Sequence, residues 1–277
     1  EIMSFAMTVF MAAPILAPGI GQLVLIIAPW EAIFAVLFVM AAILAGWMFI
    51  RLPETLRPEH RIALSFKDAA RNYRLAASHR VSLGYLSAAC LIFGALFAFI
   101  ATSEQILAEL YGLEDWFALA FGAVALGLAA ANIVNARIVG RLGMRRISHA
   151  ALVVFVMINA VHLAVAMAGQ PPFWLYYTLL SAALVVFAMM GANFSALVME
   201  PAGERAGTAA ALYGALTSMS GAILGSLIGQ AYDGSVVPLL AGFVVMGATA
   251  LAIIAWTERG QLFGVGDEGD EAQKAKV

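Results

Sequence analysis

Apolar and polar positions divide the chain into long blocks. Eight apolar runs cover residues 2–28, 30–50, 81–103, 116–136, 148–168, 174–196, 207–231 and 237–256. Crossing a hydrocarbon core of ~30 Å as a helix takes about 20 residues, and each run has that length. Lipid offers a backbone amide no partner, so a spanning segment is either a helix or a strand of a closed barrel. Barrel strands are about ten residues long and alternate in polarity, and these runs do neither. The pattern predicts an all-α membrane protein with eight transmembrane helices. A repeat of the kind that builds solenoids is absent from the sequence.

The polar segments give the bundle its sidedness. Lys and Arg fall in the linker 51–80 (Arg51, Arg57, Arg61, Lys67, Arg71, Arg74, Arg80) and in the loop 137–146 (Arg137, Arg141, Arg145, Arg146). The rest are Arg205 and, in the tail, Arg259, Lys274 and Lys276, which completes the 15 in the chain. With eight spans, all of them share one side. The other side carries only acids: Glu31, Glu104, Glu109, Glu114, Asp115 and Asp233. Basic loops remain in the cytoplasm, so both ends of this chain are expected there.

The longest polar stretch separates two spans from six. Residues 1–51 hold the first two spans, 52–80 a linker, 81–257 six spans and 258–277 a charged, Gly-rich tail expected to be disordered. In the linker, Ile62, Phe66, Ala69, Ala70, Tyr73 and Ala77 recur at helical spacing, with Lys67, Arg71 and Arg74 on another face. Such a helix lies on a membrane surface; a solvated linker helix is the alternative. Composition agrees with the membrane reading. Hydrophobic residues make up 63% and charged ones 12%, half the ~25% of a soluble domain. The lone Cys90 supplies neither a disulfide framework nor a thiolate metal site, and no metal or cofactor is expected. The chain begins at Glu1 directly in an apolar run, as an excerpt of a longer protein would.

The first span contains a stripe of small residues, Ala13, Ala17 and Gly21, at i, i+4 and i+8. Such a stripe lets another helix approach closely. Pro14 and Pro18 each remove a backbone donor and predispose the helix to bend. A generic kinked, close-packed helix would read the same way. The stripe stands in the run Val9-Phe-Met-Ala-Ala-Pro-Ile-Leu-Ala-Pro-Gly-Ile-Gly-Gln22, followed by Trp30-Glu-Ala-Ile-Phe34 and Arg51-Leu-Pro-Glu-Thr-Leu56.

Together these segments resemble the bicyclomycin-resistance (Bcr/CflA) family of drug/proton antiporters within the major facilitator superfamily. The stripe is similar to that superfamily's antiporter motif in its fifth helix, with Gln22 in place of the usual final Gly. Asn135-Ala-Arg-Ile-Val-Gly-Arg-Leu-Gly-Met-Arg-Arg146 resembles the loop between the eighth and ninth helices, and places Arg137, Arg141 and Arg145 in it. Its usual Asp position is Gly140. Met199-Glu-Pro-Ala-Gly-Glu-Arg-Ala-Gly-Thr208 is similar to the loop before the eleventh helix.

The resemblance implies that the eight spans are helices five to twelve of a twelve-helix bundle, with the first four absent from this chain. It implies drug efflux across a bacterial inner membrane in exchange for protons, by alternating access of two halves. The coupling acids would lie in the missing helices. The stripe is expected to meet small residues such as Gly122 and Gly127. On the eleventh helix, Gly214, Gly221, Gly225 and Gly229 form an interhelix face whose expected partner, the second helix, is missing.

Drug sites are apolar and aromatic with few polar anchors, and Met adapts to varied ligands. Candidate cavity residues are Met7, Met11, Tyr85, Phe93, Phe97, Asn132, Asn193, Tyr213 and Thr217, the last two one helical step round from the glycine face. The expected partners are the lipid bilayer, protons and a lipophilic small molecule, without nucleic acid. His162 is the one embedded imidazole, read as a hydrogen-bonded packing residue. The motifs of serine and metal-dependent intramembrane proteases and of nucleotide-driven pumps are absent. A truncated, non-transporting remnant or a helix-association module is the alternative function.

Overall fold

A computed structural model describes residues 20–21, 23–52 and 79–264, all of its regular structure helical. The chain divides into two units, Glu1–Ala69 and Ala70–Val277. Among the described residues, seven helices are long and apolar enough to cross a membrane.

In the first unit, Ile20, Gly21 and residues 23–27 are helical, and a break at Ala28–Trp30 precedes helix α1 (Glu31–Arg51). Glu31 in its first turn and Arg51 in its last complement the helix dipole. Large apolar side chains cover α1 on every side and none is buried. A helix apolar all round belongs in lipid or among other helices. The stripe residues Ala13, Pro14, Ala17 and Pro18, with Met7 and Met11, lie outside the described residues. So do the amphipathic segment of the linker and most of the tail.

The second unit contains α2 (Arg80–Glu104), α3 (Phe117–Leu142), α4 (Met144–Ala168), α5 (Phe173–Met199), α6 (Ala206–Gln230) and α7 (Val237–Thr257). Helix α2 is the hub and packs on α5, α6 and α7. Helix α4 lies against α5 and α7, and α3 against α5. The core is built from residues such as Tyr85, Ile92, Leu152, Phe155, Leu184, Phe194 and Phe243, all fully buried.

The apolar runs set the helix positions, but not their ends. The expected loop 137–146 is helix almost throughout: Arg137 and Arg141 stand on α3 and Arg145 on α4. Guanidinium groups reach the wet headgroup region from a helix that continues past the lipid, so charge here does not mark a break. The break is Gly143 alone, whose φ of +83° ends α3 and starts α4. At the opposite end α2 widens into a π-turn, Gln105–Leu110. Tyr111 beyond it donates its hydroxyl to the Pro171 carbonyl at 2.9 Å. Burial pushes this phenol up to about 12, so it remains a donor at neutral pH.

Helices α2 and α6 approach backbone to backbone at Gly225. A Cβ on Gly225 would stand 2.8 Å from the carbonyl carbon of Phe97, a backbone atom that cannot swing aside. Gly225→Ala is therefore expected to force the two helices apart, at about 1–3 kcal/mol for overpacking. A Cβ on Gly214 meets nothing within 4 Å, so Gly214→Ala is expected to change stability by less than ~0.5 kcal/mol. Thermal unfolding of the two variants in detergent checks the contrast.

Candidate functional site

Two polar assemblies tie the six-helix unit together. The first lies at its basic end, where α2, α4 and α6 begin and α3, α5 and α7 finish. Arg145, in the first turn of α4, grips Glu200 just past α5 with both terminal nitrogens, at 3.0 and 2.6 Å. Its Nε reaches Glu258 just past α7 at 3.2 Å. A two-pronged contact of this kind fixes orientation as well as charge. Glu258 also accepts the Tyr85 hydroxyl at 2.6 Å. That hydroxyl has one proton, so its oxygen accepts from Nε2 of His149 at 2.8 Å. Nδ1 of His149 is then the acceptor for the Phe263 amide, at 2.9 Å. The chain of bonds selects one neutral imidazole tautomer and links four helices.

The second assembly lies deeper, between α3 and α5. Asn135 on α3 and Asn193 on α5 exchange amide hydrogen bonds of 3.2 and 3.0 Å. Asn193 also donates to the Met189 carbonyl at 2.9 Å. Separately, among α2, α5 and α6, Phe93 stands edge-on to Phe187 and to Tyr213, with ring centres 5.5 and 6.2 Å away. Tyr213 donates its hydroxyl to the Gly191 carbonyl at 3.0 Å. Each polar group is satisfied inside the protein while aromatic faces remain beside it.

The sequence candidates separate accordingly. Asn193 stands in the amide pair, and Phe93 and Tyr213 meet in the aromatic cluster. Tyr85 does not: it is fully buried and belongs to the basic-end network. Phe97 lies over Gly221 and Gly225 and fills the seam between α2 and α6. Thr217 turns back to bond the Tyr213 carbonyl of its own helix at 2.6 Å, and Asn132 is half-buried outside the amide pair. Asn135 escaped selection from the sequence, although an amide one turn before the basic helix end is the signal that could have found it.

The glycine face also differs from expectation. Tyr213, Thr217, Gly221, Gly225 and Gly229 form one i, i+4 row, so the first two lie on the glycine row and not one step round from it. Its partner is present: Phe97 covers Gly221 and Gly225, and Ala101 lies 3.4 Å from a Cβ on Gly229. Gly214 is off the row and exposed. Gly127 likewise serves α3–α5 packing, since its Cβ would press on Val185 at 3.1 Å. His162 is fully buried against Tyr176, and neither ring nitrogen has a hydrogen-bond partner among the described residues, unlike the hydrogen-bonded packing residue expected.

The sequence profile of the Major Facilitator Superfamily matches residues 1–226. The chain belongs to this superfamily. Its six-helix unit is a major-facilitator-type bundle, and the protein is a multi-pass membrane protein of a transporter family. A bicyclomycin resistance protein homolog of Haemophilus influenzae is 29% identical over 257 residues, covering 92% of this chain and 64% of that protein. An uncharacterized MFS-type transporter of Bacillus subtilis is 27% identical over 232 residues, covering 83% and 58%. The chain thus spans about three fifths of the length of these two superfamily relatives.

The amide pair is open to a direct measurement. Interhelix hydrogen bonds in membranes contribute ~0.6 kcal/mol on average and ~1.7 at most. A double-mutant cycle of Asn135→Ala and Asn193→Ala, read by unfolding in detergent, is expected to give a coupling within that range. Additive effects would remove the pair as a link between α3 and α5.

Proposed function

We propose that the chain forms the larger part of a secondary efflux transporter of the bicyclomycin-resistance type. It exports small lipophilic drug-like molecules in exchange for protons by alternating access. Its eight spans correspond to helices five to twelve of twelve, in a bacterial inner membrane with the basic end facing the cytoplasm. The similarity of 92% of the chain to a bicyclomycin resistance homolog carries this reading.

Two features of the six-helix unit support it. The cluster of Phe93, Phe187 and Tyr213, with Phe93 half-buried and the other two buried, supplies the aromatic lining that takes up an apolar ligand. We assign it to the wall of the substrate cavity. In addition, the acids of the basic-end network are paired with Arg145 at the helix ends, and no carboxylate stands mid-helix among the described spanning residues. Proton coupling is therefore assigned to the segment outside this chain. The stripe Ala13, Pro14, Ala17, Pro18 and Gly21 is assigned to helix–helix closure during the cycle.

Energised inverted vesicles carrying the intact protein are expected to accumulate a fluorescent lipophilic cation and to lose it when a protonophore is added. Gly21→Leu is expected to slow uptake at least tenfold at equal expression, the effect of ~1.4 kcal/mol on a barrier. Uptake that ignores the protonophore would overturn proton exchange. Unchanged uptake by Gly21→Leu would overturn the role of the stripe, and no uptake of any lipophilic compound would favour a non-transporting remnant.

A further inference from the structure

At the basic end, α3, α4 and α5 enclose an open groove of about 480 Å³. Ile138 and Leu142 of α3, Ala150 and Val154 of α4 and Val186 and Met189 of α5 form its walls. Arg146 and Phe263 stand at its mouth, and no lining residue is acidic. We propose that this groove binds one anionic phospholipid, its acyl chain in the groove and its phosphate on Arg146.

The two neighbouring arginines of α4 divide the labour. Arg145 turns inward and is neutralised by Glu200 and Glu258. Arg146 turns outward, is exposed, and uses only its Nε among the described contacts, donating to the Phe263 carbonyl at 3.2 Å. That bond ties the guanidinium to Phe263, which also lines the groove, and its terminal N–H groups make no hydrogen bond among the described residues. Arg141, exposed one position before Leu142, adds a second cation, and the amino-terminal turn of α4 adds partial positive charge. Complementarity is thus to an anion at one end of an apolar channel.

The dimensions agree. From Arg146 to Val154 the helix rises about 12 Å, most of the ~15 Å half-thickness of a bilayer core. A lipid with its phosphate at Arg146 lays its chain along the groove toward the midplane. Small residues, Ala150 and Ala151, open the space between the larger neighbours. Ordinary lipid-facing surface is convex and uncharged; this surface is concave and carries a cation at headgroup depth, the arrangement that retains anionic headgroups. Assignment to the cytoplasmic leaflet rests on the orientation proposed above, whereas lipid binding as such does not.

Native mass spectrometry of the intact detergent-purified protein, titrated with phosphatidylglycerol or with phosphatidylcholine of identical chains, tests the proposal. Phosphatidylglycerol is expected to be retained at least fivefold better. Arg146→Gln is expected to abolish that preference without weakening phosphatidylcholine adducts, and Ala150→Phe, which fills the groove, to weaken both. Glycerol phosphate without acyl chains is not expected to compete. Equal retention of the two lipids, or a preference that survives Arg146→Gln, would overturn the proposal. So would phosphatidylglycerol binding that appears only after removal of residues 265–277, which would give the groove to the chain's own acidic tail. Transport by these variants is a separate measurement, so failure here leaves the efflux reading untouched.

Discussion

Lipid cannot hydrogen-bond, and this deficit shapes most polar groups of the described spans, with His162 an exception. Backbone amides answer it by forming helices. Side chains answer it in three ways that the structure separates by depth. Charged groups withdraw to the helix ends, where Arg145, Glu200 and Glu258 neutralise one another. Amides deeper in the bundle pair with each other, as Asn135 and Asn193 do. Hydroxyls such as those of Thr217 and Ser220 fold back on carbonyls of their own helix. Breaking a buried ion pair by removing one partner costs about 3–5 kcal/mol, so these arrangements come as sets, and α2, α4, α5 and α7 are held in register by one of them.

Much of the fold was legible because apolar length is a direct physical requirement. Predicted spans at 81–103, 207–231 and 237–256 became helices Arg80–Glu104, Ala206–Gln230 and Val237–Thr257. Helix ends were read less well where charged residues extended the helix beyond the lipid, as at Arg137 and Arg141. Positive φ at Gly143 was the true boundary, and a single glycine leaves little trace in a hydropathy pattern.

The candidate site was legible in residue type but not in partnership. Phe93, Asn193 and Tyr213 were selected because polar and aromatic residues are unusual inside spans. Their neighbours Asn135 and Phe187 are 58 and 94 positions from Asn193 and Phe93, and no local pattern joins them. Tyr85 was misplaced for the same reason. Its partner Glu258 is 173 residues away, and only the folded chain shows that this tyrosine completes an ionic network. Of the α6 glycines, Gly221, Gly225 and Gly229 pack closely and Gly214 does not, and the helix they receive is α2 of the same unit.

The one-residue connection at Gly143 has a spatial corollary. With α3 ending on one side and α4 beginning on the other, only the two torsions of this glycine separate the rods. Directly beyond it, in the first turn of α4, two successive arginines face opposite ways. One is anchored in the protein interior and its neighbour looks outward. The groove of the outer surface and the ionic network inside therefore share a single turn of α4, one residue apart.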